Sequence, residues 1–201
     1  MNKPPLSLII GRLQWRTPPL SQSSSRGFTL IEVLVTLAVM AVLATIGIPS
    51  MAALMDSIRL RSASNVFFSH LHLARSEAIK RNSRVVLCKS ADGVSCVSDG
   101  GWEQGWIVFH DANTNAALDS GETVIHRAAP LAASLRFTGN TNVARYVSFA
   151  PTGATQLVGG AFQAGTFTVC RQSASSGDAY QIILNAVGRP RVQKIEVSSC
   201  V

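Results

Sequence analysis

The chain has no Gly-x-Ser-x-Gly elbow, no His-Glu-x-x-His and no phosphate-binding glycine loop, so the sequence signatures of serine, zinc-hydrolase and nucleotide chemistry are missing. Its histidines do not pool either. His70 and His72 stand two apart on a helical pattern and cannot face one site, while His110 and His126 fall in strand patterns. Glu77 and Glu103 have no partner by spacing. Cysteine is scarce, with 4 residues and no Cys-x-x-Cys pair. No internal repeat or second domain is visible. These absences point away from an enzyme, and no cofactor is expected.

What the chain does have is an apolar run. From Phe28 to Ile48 there are 21 residues carrying one charge, Glu32. At ~1.5 Å per residue that is a helix of ~31 Å, the thickness of a bilayer core. A carboxylate four residues into such a run costs a few kcal/mol in lipid and calls for a partner. No Lys or Arg of the run supplies one. A free amino group on Phe28 of a neighbouring copy would, if the chain were cut after Gly27. Ahead of the run, Lys3, Arg12, Arg16 and Arg26 give a basic leader without an acid, which favours its retention in the cytoplasm. Positive residues before the cut and apolar residues after it reverse the order of an ordinary signal peptide.

Arg26-Gly27-Phe28-Thr29-Leu30-Ile31-Glu32, with Pro49 just past the apolar core, resembles the N-terminus of a type IV pilin or type II secretion pseudopilin. The resemblance implies a prepilin peptidase that cuts after Gly27 and methylates Phe28, and a Glu32 that pairs with the terminal amine of an adjacent subunit in a filament. It divides the chain into a leader (1–27), a transmembrane and filament-core helix (28–52) and a periplasmic or extracellular globular domain (53–201). The expected location is the inner membrane, single-pass with a periplasmic domain, and then a surface pilus containing other minor and major pilins.

The remaining ~150 residues suffice for one domain with a real core. Beyond Pro49 the helical pattern resumes to about Asn82: Leu60, Ala63, Phe67, Leu71, Ala74 and Ala78 form an apolar stripe, and Ser62, Asn65, Ser69, His72, Ser76 and Lys80 another face. Short β patterns follow at 85–89, 106–110, 123–127, 135–137, 146–149, 166–171, 180–186 and 191–197, separated by turn signals. Helix first and strands after predicts an α+β domain, the helix packed on an antiparallel sheet. An oxidising address permits disulfides. Of three possible connectivities the favoured one is Cys88–Cys96, stapling a hairpin, with Cys170–Cys200 tying down the last segment.

Gly105-Trp-Ile-Val-Phe109-His-Asp111-Ala-Asn113-Thr-Asn115, followed by Asp119-Ser-Gly-Glu122, resembles the FimT/GspH group of minor pilins and pseudopilins. The same loop sets Asp111, Asn113, Asn115, the Ala117 carbonyl, Asp119 and Glu122 at the ligand positions of an EF-hand-like calcium loop. Ala116 replaces the glycine of the sharp turn and no helices flank it. The competing reading, preferred here, is an Asx-rich loop bonding its own backbone, with no metal.

Charge is unevenly placed. Arg127, Arg136, Arg145, Arg171, Arg189, Arg191 and Lys194 face only Asp178 and Glu196 in the last 75 residues, which suggests an anionic partner. Within this region Gly188-Arg189-Pro190-Arg191 reads as a turn between the last two strands. Gly188 permits positive φ, and Pro190 stiffens the segment. If extended, it puts Arg189 and Arg191 on one side ~6.5–7 Å apart, close to the ~7 Å between successive phosphates of a nucleic-acid strand. Lys194 is expected to lengthen the track, and replacing Cys200 is expected to weaken binding if its disulfide holds the turn in place. A C-terminal Gly-Arg-x-Arg resembles the DNA-binding motif of FimT-type pilins, which implies sequence-independent DNA binding in natural transformation. Without a recognition helix or a clear stacking platform, nothing argues for base readout. The alternative is a structural minor pilin or pseudopilin that primes or builds a filament without binding DNA.

Overall fold

The computed structural model describes residues 27–173 and 175–200; all of the expected leader (1–27) except Gly27 lies outside them. The described residues fall into two units that divide between Thr45 and Ile46. Helix α1 spans Leu30–Arg81. Its start is a capping box: Glu32 N–H donates to Thr29 Oγ1 at 3.3 Å, and Thr29 N–H reaches back to Glu32 Oε2 at 3.5 Å. Its end is a Schellman motif. Asn82 takes a positive φ of 47°, Asn82 N–H donates to Ile79 O and Ser83 N–H to Ala78 O, both at 3.2 Å. An 18-residue window near the N-terminus of α1 has a mean hydropathy of 2.4 and none of it is buried. By length and composition the helix can cross a membrane.

In the second unit the predicted stripe is the buried one. Leu60, Ala63, Phe67, Leu71, Ala74 and Ala78 are all buried, whereas Ser62, Asn65, Ser69, His72, Ser76 and Lys80 are exposed. The strands are β1 (Val85–Lys89), β2 (Trp106–His110), β3 (Val124–Ala128), β4 (Leu135–Gly139), β5 (Tyr146–Phe149), β6 (Gly165–Arg171), β7 (Gly177–Leu184) and β8 (Pro190–Val197). All eight patterns are strands. β7 begins three residues earlier than its pattern, because Gly177 and Asp178 already pair with Val197 and Glu196.

The single sheet expected from the sequence is two. Antiparallel pairing gives the orders β3-β2-β1-β5 and β4-β6-β7-β8. Both inner faces meet the helix stripe in one core containing Leu87, Trp106, Val108 and Phe149 from the first sheet and Phe137, Phe167, Val169 and Ile182 from the second. Phe67 is its hub, edge-on to Trp102, Trp106, Phe137 and Phe167 with ring centroids 4.7–5.2 Å away. The outer face of β1 is buried too: Val86 and Cys88 pack with Ile107 and Phe109 under Cys96, Ala116 and Leu118. Lys89 closes that strand with its ammonium donating to Ser98 O (2.8 Å) and Gly100 O (2.7 Å), and burial lowers its pKa.

The disulfides are Cys88–Cys96 and Cys170–Cys200. Glu77 and Glu103 do have partners, contrary to the expectation. Glu77 accepts from Arg81 at 2.7 Å one helical turn on, a pair the i,i+4 spacing could have given. Glu103 pairs with Arg136 at 3.2 Å and accepts the Phe137 N–H at 3.0 Å, contacts that only the folding of β4 onto the 102–104 turn creates.

Candidate nucleic-acid interface

The last hairpin carries the candidate site. β7 and β8 pair from Gly177↔Val197 to Leu184↔Pro190, leaving residues 185–189 as the connection. Asn185 organises it. Its carbonyl accepts Gly188 N–H at 2.9 Å, and its side-chain Oδ1 accepts Arg189 N–H at 2.8 Å, an Asx bond of the kind that fixes tight turns. Gly188 has φ +76°, so the residue needs glycine's freedom.

This turn is anchored from below. The buried Thr155 donates its N–H to Ala186 O at 3.1 Å, and its hydroxyl lies within hydrogen-bonding distance of Gln163 O (2.6 Å) and Asn185 O (3.0 Å). Gly188 presses on the 150–153 turn: a Cβ placed there would overlap the Gly153 carbonyl oxygen and lie 3.3 Å from Phe149 Cε1. Pro190 is buried, while Arg189 and Arg191 are exposed. Alternation along the strand puts both arginines on the side away from Val192, which packs on the core. Neither has an acidic partner among the described residues. Two uncompensated guanidinium forks on a stiff turn can bind phosphate oxygens in pairs.

Lys194 is not part of this track. The register sets it opposite Tyr180, on the core-facing side of β8, and its ammonium is 2.7 Å from Asp178 Oδ2. That hydrogen bond raises its pKa, and the two charges cancel. An even number of residues from Arg191 would have been needed to keep Lys194 on the same face; the interval is three. Cys200 does not meet the condition of holding the turn. Its bridge to Cys170 lies by Ala179 and Val197, at the far end of β8 from the turn, about 23 Å along the strand. It ties down the terminus and leaves the turn to Asn185, Thr155 and Gly153. Those three residues were not singled out as site residues; Asn185 three positions before a glycine was the available signal.

The Asp111 loop is self-satisfied. Asp111 accepts the backbone N–H groups of Asn115 (3.2 Å) and Ala116 (3.0 Å). Asp119 Oδ2 accepts both Asn113 Nδ2 and Asn115 Nδ2 at 2.7 Å, which lowers its pKa. Glu122 accepts from Ala112 N–H at 2.8 Å and Asp119 N–H at 3.1 Å. Ala116, at the position that wants glycine, has φ 58°. The carboxylates bond their own loop, as the Asx-rich reading expects. His70, by contrast, meets a partner no spacing gave: its ring lies 4.1 Å from that of His126, and Trp106 Nε1 donates to its Nδ1 at 3.0 Å. Burial first and the His126 charge second lower its pKa to about 4.

An N-terminal helix with an apolar first half, its second half laid on antiparallel sheets behind a Gly-Phe-Thr-Leu-Ile-Glu start, defines a type IV pilin-like protein of the minor pilin or pseudopilin class. The chain belongs to the GspH family, whose profile, described as Type II transport protein GspH, matches residues 63–188. The prokaryotic N-terminal methylation motif matches residues 22–48. The pilin-like protein PilA1 of Thermus thermophilus is 31% identical over 97 residues, 48% of this chain and 55% of that protein; the chain spans about half the length of this curated relative. The type IV minor pilin FimU of Pseudomonas aeruginosa is similar in structure, with a TM-score of 0.52 at 18% identity over 74% of this chain and 99% of that one. At that identity the likeness shows the fold alone. The minor pseudopilin EpsH of Vibrio cholerae gives a TM-score of 0.46 at 9% identity over 67% of this chain and 96% of that one.

Proposed function

We propose that this chain is a FimT-type minor pilin that binds DNA without sequence preference through the Gly188-Arg189-Pro190-Arg191 turn and takes part in DNA uptake for natural transformation. The observation that carries the reading is the pair Arg189 and Arg191, exposed and without acidic partners on a turn fixed by Asn185 and Gly153. Cleavage after Gly27 frees the Phe28 amine, which is then methylated and pairs with Glu32 of a neighbouring subunit. The 28–52 segment holds the chain in the inner membrane, with residues 53–201 in the periplasm, until it joins a surface pilus. Phosphates held at the turn then travel with the filament as it retracts.

The test is fluorescence anisotropy of the full chain in detergent with unrelated duplexes at two salt concentrations. Binding is expected to ignore sequence, to weaken as salt rises and to vanish in Arg189→Gln/Arg191→Gln. Equal binding by that folded variant removes the turn from the mechanism. Absence of binding at low salt by the wild type favours the second reading, a structural minor pilin or type II secretion pseudopilin. That reading draws support from the exposed Met51, Leu54, Met55 and Ile58, apolar surface suited to neighbouring subunits. Under both readings, replacing Glu32 impairs filament assembly.

A further inference from the structure

The turn carrying Arg189 and Arg191 rests on the 150–153 turn, and that turn rests on α1. A Cβ on Gly188 would lie 3.1 Å from the Gly153 carbonyl carbon, and a Cβ on Gly153 would lie 3.0 Å from Arg75 Nε and 2.8 Å from Ile79 Cδ1. Through one glycine, Arg75 Nε is therefore within about 9 Å of the point where a side chain at 188 would begin. Arg189 follows one residue on. Arg75 makes no ion pair and no side-chain hydrogen bond among the described residues. Its helix neighbour Glu77 is already engaged by Lys80 at 3.5 Å and Arg81 at 2.7 Å, so no carboxylate of its own segment is free to neutralise it.

Arg75 and the turn that carries Arg189 and Arg191 thus meet across two glycines. Both have positive φ, +79° at Gly153 and +76° at Gly188. A side chain at 153 would cover the Arg75 guanidinium; glycine leaves it open beside the arginine turn.

We propose that Arg75 is a third phosphate-binding residue of this site, so that a phosphodiester polyanion is gripped from α1 as well as from β8. This rests on reading the turn as a DNA contact. The consequence is quantitative. Each phosphate neutralised adds about 0.9 to the slope of log affinity against log salt. Arg75→Gln is therefore expected to lower the slope by about 0.9 and to weaken binding about fivefold at ~0.15 M salt.

The experiment measures anisotropy of a labelled duplex with the full-length protein in detergent across a salt series, for the wild type, Arg75→Gln, Arg75→Lys and Arg189→Gln/Arg191→Gln, each checked by thermal melting. A reduced slope in Arg75→Gln, largely restored in Arg75→Lys, with unchanged melting, supports the proposal. Wild-type affinity and slope in Arg75→Gln, while the double variant loses binding, overturns the Arg75 assignment and leaves the turn in place. A lowered melting temperature that Arg75→Lys does not rescue assigns Arg75 to packing and also overturns it. No binding by the wild type overturns both readings together.

Discussion

Replacing Gly188 by alanine tests the architecture of the site at its narrowest point. The residue sits at φ +76°, where a non-glycine residue costs ~1–2 kcal/mol. The added methyl would overlap the carbonyl oxygen of Gly153 and lie 3.3 Å from the buried ring of Phe149. The first obstacle is backbone and the second is packed, so neither yields by rotating a side chain, and relief requires the two turns to separate at a further ~1–3 kcal/mol. The expected loss is ~3 kcal/mol. For a domain of ~150 residues that is a fall of roughly 10 °C in melting temperature, read by circular dichroism of the full chain in detergent. DNA affinity should fall with it, below the melting temperature, because the separated turn no longer presents Arg189 and Arg191 together. A Gly188→Ala protein melting within about 2 °C of the wild type would show that Gly153 is no anchor, and the argument for a rigid arginine turn would go with it.

Other outcomes follow from the same structure. Cys200→Ser opens a loop of sequence separation 30 and should cost ~3–4 kcal/mol, yet leave DNA affinity unchanged at temperatures where the protein is folded; a selective loss of affinity would mean that the bridge does reach the turn. Phe67→Ala removes a ring with four aromatic neighbours and should destabilise the domain by ~3–5 kcal/mol, so a denaturation midpoint near wild type would contradict the hub. His70 has its folded pKa lowered to about 4 from an unfolded value of ~6.5. The unfolded state therefore binds more protons in that window, and stability present above pH ~6.5 is lost as pH falls toward 4. His126→Gln should shallow that loss only in part, since burial is the larger cause; a slope in a pH series of thermal melts that stays the same would exclude the His126 contribution.

Local chemistry made much of this legible. The helix stripe was readable because Leu60, Phe67, Leu71 and Ala78 repeat at the helical period and a 3.6-residue turn leaves them one face. The strands were readable because β-branched and apolar runs stood between glycine, proline and asparagine turns. Gly188 was readable as a positive-φ residue from its place between two strand patterns. Lys194 shows the limit. Its basic charge near two arginines suggested a track, but a strand's faces are set by register, and a three-residue interval turned it to the other side, where Asp178 waited.

The sequence by itself determined the N-terminal methylation motif, the α+β order, the buried helix face and the place of the arginine turn, because each depends on residues close along the chain. Only the tertiary structure decided that the strands form two sheets, that His70 meets His126, that Glu103 takes Arg136 and that Gly188 leans on Gly153 with Arg75 behind it. Those contacts join residues roughly 30 to 80 positions apart, and nothing in local periodicity encodes which of many compatible surfaces will meet. Their pairing is fixed when one core must bury the helix stripe and both sheets around Phe67 at once.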